Sequence, residues 1–193
     1  MAILIIGGDS NLSKVLVTQL KKNTLEVYRT TRRSIISDDQ ILLNFDKFTK
    51  FRKPKNVTAA VVVGGVTDYG TCESNFSYAH FINCVQIPSL VGQLLNYGVY
   101  VCYISTNTVF TSDDGLPTEY EAQSPSFNYA SLKSKAEHQI LSQALRVKKS
   151  TLLSILRLTK NVDYLTSPFD SWIKALTLEN TITAFDDLFF API

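Results

Sequence analysis

Short, uninterrupted apolar runs alternate with helical patterns along this chain, and that alternation constrains the fold more than any other feature. The runs "AILII" (2–6), "LEVYRT" (25–30), "ILLNF" (41–45), "AAVVV" (59–63), "VYVCYI" (99–104) and "LLSILRL" (152–158) have the length and composition of strands. After the first run, Leu12, Val15, Leu16 and Leu20 recur at spacings of three and four, and Lys21, Lys22 and Asn23 supply a basic last turn and a cap. A long helical stretch runs from about 75 to 97, and Pro88 inside it is expected to kink it because proline has no amide proton to donate. Another spans about 126–145, with Leu132, Ala136, Ile140 and Ala144 on one stripe. Strands that are apolar throughout need cover on both faces. The pattern therefore specifies an α/β fold, a doubly wound and mostly parallel sheet with helices on both faces. "DSWIKALTLE" (170–179) reads as one more helix and "TITAF" (181–185) as a strand.

Bulk properties narrow the function by exclusion. At 193 residues, 45% hydrophobic and 19% charged, the chain has the size and composition of one globular domain over 1–193. A net charge of +2 gives no reason to expect nucleic acid, and the charge of the basic, aromatic-interleaved stretch "KFTKFRKPK" (47–55) is isolated in a near-neutral chain. No apolar run reaches membrane-spanning length, and "MAILIIGGDS" lacks the basic lead of a secretory signal. Cys72, Cys84 and Cys102 are odd in number and lack metal-site spacing, as expected of reduced thiols in a cytoplasmic protein with no metal. His80 and His138 stand alone on their helices and read as structural or surface residues.

The turn after the first strand is where a doubly wound fold receives a dinucleotide, because the following helix offers free amides and the positive end of its dipole. A fingerprint with glycines at its first, fourth and seventh positions would put them at 7, 10 and 13; the chain has Gly7, Ser10 and Ser13. The serines read two ways: as caps of a turn without a ligand, or as hydroxyl donors to phosphate. After the second strand comes "YRTTRR". Arginine there can fork onto a ribose 2′-phosphate, which favours NADP over NAD; the alternative is a basic loop facing water.

The stretch "FNYASLK" places Tyr129 and Lys133 four residues apart on a helix, hence on one face. An ammonium beside a phenol favours the phenolate and turns tyrosine into a usable acid or base. With nine tyrosines in the chain the spacing alone can arise by chance. Ser105 and Thr106 end the fifth strand, at the edge of the sheet where ligands of such folds bind.

The whole run "YISTNTVFTSDDGLPTEYEAQSPSFNYASLK" resembles the extended short-chain dehydrogenase/reductase superfamily, most of all its dTDP-4-dehydrorhamnose reductase branch. "AAVVVGGVTDYGTCESN", Asn83 in "FIN", Arg157 in "ILRLTKNV" and "SPFDSWIKALTLENTITAFDD" extend the likeness in order over nearly the entire chain. It implies a Rossmann-like NAD(P)-binding fold and an NADP-dependent reductase, or epimerase relative, acting on the keto group of a nucleotide-activated sugar in polysaccharide biosynthesis. Tyr129 would be the acid/base, Lys133 would hold the nicotinamide ribose and lower the tyrosine's pKa, and Thr106 would hydrogen-bond the substrate, with Ser105 and Asn107 beside it. Gly7, Ser10, Asn11 and Leu12 would line the pyrophosphate turn, Arg29 and Arg32 the adenosine ribose, Phe45 and Asp46 the adenine, and Gly64 and Gly65 the cofactor after the fourth strand. The family's loop carboxylate falls on Glu119 or Glu121.

The chain departs from the family at "GGVT" after the fourth strand, at Ala130 after the tyrosine and at Asn107 after Ser-Thr. The resemblance also implies a further substrate-binding portion, of which 167–193 would be a remnant, and the apolar ending "LFFAPI" leads us to expect a homo-oligomer or second subunit covering it. The alternative it leaves open is a shortened, catalytically impaired relative that serves as a binding or regulatory subunit.

Overall fold

A computed structural model describes residues 1–48, 50–110 and 117–159, together with Lys174, Ala175, Thr177 and Leu178. The chain divides into two compact units, Met1–Arg157 and Leu158–Ile193. In the first unit the order is β1 (Ala2–Ile6), α1 (Asn11–Lys22), β2 (Glu26–Thr31), β3 (Gln40–Leu42), β4 (Val57–Val62), α2 (Tyr69–Ser74), α3 (Phe76–His80), a π-helical segment (Phe81–Gln86), α4 (Ile87–Asn96), β5 (Tyr100–Thr106), α5 (Asn128–Arg146) and β6 (Leu153–Leu158), whose last residue opens the second unit. The strands form one six-stranded sheet in the order β3-β2-β1-β4-β5-β6. Every pair from β3 to β5 is parallel.

Both faces of the sheet are covered, as the continuous apolar strands require. From β1, Ile3 and Ile5 join Leu16, Val17, Leu20 and Val27 on the α1 face. Leu4 and Ile6 face the other way, into a larger core with Val62, Val101, Leu90, Leu94, Ala136 and Ile140. Each buried aliphatic side chain contributes roughly 1.5–3 kcal/mol relative to exposure.

The boundaries differ from the sequence reading in two instructive places. "ILLNF" is strand only through Leu42, because the Asn44 side chain accepts the Asp46 amide at 2.9 Å and turns the chain into a short 3-10 helix, Phe45–Lys47. The long helix of 75–97 starts at Phe76, where Asn75 caps it, and its irregularity falls before the proline. Phe81–Gln86 is wound wider and Pro88 sits in the first turn of α4, so the proline's missing amide proton is absorbed by the π segment. Of the helix read over 170–179, Lys174, Ala175 and Thr177 are helical; the strand read over 181–185 lies outside the described residues.

Candidate active site

Strand order reverses between β1 and β4, and a cavity of about 250 Å³ opens there at the carboxyl edge of the sheet. Gly7 and Ser10 line it after β1, Arg32 after β2, Phe45 and Asp46 after β3, and Gly64 and Gly65 after β4. Asp9, Thr31, Asn44, Thr67 and Tyr78 also line it, and nothing in their local sequence marked them. Gly7 is required by packing: its φ is +86°, and a Cβ there would lie 2.5 Å from the Cα of Gly64.

The serines at the two altered glycine positions knit this turn together. Ser10 caps α1 by accepting the Ser13 amide at 3.2 Å, and the Ser13 hydroxyl, itself buried, donates to the Gly7 carbonyl at 2.9 Å. The amides of Asn11 and Leu12 have no protein acceptor among the described residues.

Arg29, Asn11 and Leu12 do not line the cavity. Arg29 lies inside β2 with its side chain on Asp39, whereas Arg32 lies past the end of that strand, at the cavity. The Arg29 Nε lies 3.3 Å from Asp39, which Lys21 also binds at 2.6 Å. Burial opposes ionisation of Asp39, but hydrogen bonds from Lys21 and Ser37 and the charges of Arg29 and Lys21 outweigh it, carrying its pKa to about 2.

At the end of β5 the two hydroxyls part company. Ser105 turns inward and donates to the carboxylate of Glu137. Thr106 accepts the Thr108 amide at 3.2 Å and lies 3.0 Å from the Thr108 hydroxyl. Asn107 is exposed in the turn that follows. Glu121 accepts the Thr118 amide at 2.9 Å, and Glu119 offers its backbone carbonyl to Arg157 at 3.4 Å.

Tyr129 and Lys133 share the first turns of α5 as expected, but their polar ends go to different partners. The Tyr129 ring packs 5.0 Å from Tyr69 and 6.3 Å from Phe127, centre to centre, and its hydroxyl makes no hydrogen bond among the described residues. Burial, with Tyr69 and Cys72 adding to it, pushes its pKa well above the ordinary tyrosine value. Lys133, only 6% exposed, donates to the Tyr103 hydroxyl and to the Ile104 carbonyl, each at 2.7 Å. Burial draws its ammonium down to about 7 against the opposing pull of Glu137 and Cys84. The tyrosine is thus raised by burial instead of lowered, and the lysine is bound to β5.

Asn83 links the cavity to the tyrosine. Its side chain accepts the Val66 amide and donates to the Val66 carbonyl, both at 2.9 Å, holding the loop after β4. Val66 and Tyr129 pack on one cluster of Cys72, Ala79, Cys84 and Leu132. The residues that sequence reasoning missed are Tyr69, Tyr103, Gln123 and Glu137; a Glu four residues beyond Lys133 was the available signal for the last. No group of His, Cys, Asp and Glu among the described residues could hold a metal ion, and none of their helices is long and apolar enough to cross a membrane.

The family described as RmlD substrate binding domain matches residues 1–159. The UDP-glucuronic acid 4-epimerase from Bacillus cereus, solved with UDP-glucuronic acid and NAD, is similar with a TM-score of 0.80 and 16% identity over 97% of this chain and 66% of that one. MoeE5 in complex with UDP-glucose and NAD gives 0.74 and 21% over 91% of this chain and 60% of its own. A dTDP-4-dehydrorhamnose reductase from Clostridium acetobutylicum gives 0.71 and 21%, over 92% and 60%. At such identities the likeness is one of fold. The chain spans 60% of the length of the latter two structures. No curated protein matches the sequence.

Proposed function

The chain belongs to the RmlD substrate binding domain family, and from that premise we propose that it is a nicotinamide-dinucleotide-dependent reductase, or an epimerase relative, acting on the keto group of a nucleotide-activated sugar. One observation carries the reading. The cavity at the β1/β4 switch, Thr106 at the end of β5, and Tyr129 with Lys133 on the helix packed against that strand end all belong to one edge of the sheet.

The residues present suit a dinucleotide. The amides of Asn11 and Leu12 at the start of α1 are donors for a pyrophosphate, Phe45 and Asp46 form a wall for the adenine, and the backbone at Gly64 and Gly65 lies open to the cavity. Arg32 lines the same cavity and is exposed, which favours NADP over NAD. A bound dinucleotide supplies the hydride. Thr106 holds the sugar oxygen and Tyr129 moves a proton to or from it. For Tyr129 to serve near neutral pH, the Lys133 ammonium must leave Tyr103 and Ile104 and come to bear on the phenol. The relatives' UDP and dTDP sugars define the substrate class to be tried first.

A second reading, a binding or regulatory subunit without turnover, is favoured by the Ser10–Ser13 capping pair, which already occupies one amide of the phosphate turn. Titration with NADPH and NADH, followed by intrinsic fluorescence in the wild type and Lys133→Ala, separates the two. Binding of NADPH that the substitution weakens supports the enzyme, and a screen of keto-sugar nucleotides follows. Absence of binding by either dinucleotide removes the proposal and leaves the second reading.

A further inference from the structure

Glu137 has no exposed surface, yet it carries a carboxylate. A buried carboxylate is costly unless it is both paired and hydrogen-bonded, and this one is bound on every side. Its oxygens accept from the Ser105 hydroxyl, from Gln123 Nε2 at 2.6 Å, and from Arg157 Nε at 3.1 and 3.2 Å and Nη2 at 2.7 Å. These donors come from three places: β5, the segment before α5, and β6. A buried ion pair is weak evidence for stability, because an apolar set of similar volume usually serves as well. What an apolar set cannot do is fix the separation of three elements through directed bonds.

The placement of those bonds is what ties Glu137 to the site. Tyr129, Lys133 and Glu137 follow one another at four-residue intervals along a single face of α5. Ser105 directly precedes Thr106. Arg157 also donates to the Glu119 carbonyl and lies 4.9 Å over the Phe110 ring, so these two residues hang on the same anchor. We propose that Glu137 is the positioning residue of this site: by joining Ser105 and Arg157 to the Tyr129–Lys133 face of α5, it sets where the Lys133 ammonium stands relative to Thr106. The consequence for dinucleotide binding rests on the function proposed above; the consequence for Lys133 in the free protein does not.

The Lys133 ammonium faces Tyr103 and the Ile104 carbonyl from β5, Cys84 from the π-helical segment, and Glu137 from its own helix, with Arg157 of β6 bound to that carboxylate. Glu137 is therefore the anion that favours its charged form, against burial, which is the larger influence.

The test is E137Q in the full chain, with three measurements. Lysine-13C-labelled protein, in which the Lys133 Cε signal is assigned by its loss in K133R, gives the ammonium's titration midpoint. Circular dichroism establishes the temperature range in which the variant is native, and fluorescence titration gives its affinity for NADPH. Within that range the Lys133 midpoint falls below its wild-type value, and NADPH binds about tenfold more weakly. A purely structural Glu137 would lower the melting temperature and leave both the midpoint and the affinity unchanged, which overturns the proposal. Should E137Q fail to fold, S105A removes a single hydrogen bond to the carboxylate and shifts both readouts the same way by a smaller amount; unchanged readouts in S105A overturn the proposal equally. If the wild type binds no dinucleotide, the Lys133 midpoint alone decides, and a midpoint identical in wild type and variant refutes the positioning role.

Discussion

The ammonium of Lys133 donates to the hydroxyl of Tyr103 at 2.7 Å, across from β5, while Tyr129 stands one turn away on its own helix without that lysine as a partner. The relationship bears on stability as well as chemistry. Burial leaves Lys133 with a folded-state pKa of about 7 against an ordinary 10.5. Between those values the unfolded chain binds the additional proton, so stability rises with pH across the window and the folded state bears the full cost of the buried charge below it. Urea unfolding midpoints at about pH 6 and about pH 9 should therefore differ in favour of the higher pH, and the Lys133→Met variant should show a smaller difference.

Asp39 gives a slope of the same sign at the acid end. Its pKa of about 2 lies below the ordinary 3.8, so its contribution is present above 3.8 and is lost as pH falls toward 2. Asp39→Asn should be less stable than the wild type at neutral pH and no different near pH 2, as read from thermal melts across that range. The group is partly open to solvent, so the neutral-pH difference should be small, on the order of 1 kcal/mol or less.

Gly7 and Gly98 both have positive φ, at +86° and +73°, but only Gly7 has a neighbour where a Cβ would go. Gly7→Ala should lose about 3 kcal/mol, from backbone strain and collision with Gly64, whereas Gly98→Ala should lose about 1 kcal/mol from strain alone. Denaturant midpoints of the two variants check the difference.

Arg32 and Arg29 were indistinguishable in "YRTTRR", and the fold separates them. Arg32→Ala should weaken NADPH binding about tenfold and change NADH binding little. Arg29→Ala should leave both affinities unaltered and instead reduce stability through Asp39. Equal effects of the two substitutions on NADPH would show that the cavity face is not what selects between them.

Tyr129→Phe removes the proton-bearing oxygen and retains the ring that packs on Tyr69 and Phe127. Turnover of a keto-sugar nucleotide should fall about a hundredfold or more, while dinucleotide affinity stays within about twofold. A matching loss of affinity would mean that the tyrosine acts in binding.

How much of this was legible before folding follows from what sets each feature. The strands, the double winding and the cavity residues Gly7, Ser10, Arg32, Phe45, Asp46, Gly64 and Gly65 could be read because apolar runs and strand-end positions are local in the chain, and a parallel sheet gathers its strand ends on one edge. Tyr129 and Lys133 share a face because they are one helical turn apart, which is also local. Their electrostatics are not. The partner of Lys133 is Tyr103, thirty residues away, and the carboxylate of Glu137 meets Ser105, Gln123 and Arg157 only when β5 and β6 have come alongside α5. Desolvation and long-range hydrogen bonds depend on which surfaces meet. That is why the sequence by itself determined the fold class and the strand ends that meet at the cavity, while only the tertiary structure decided that Arg29 leaves the cavity, that Ser105 turns inward, and that burial raises the tyrosine's pKa.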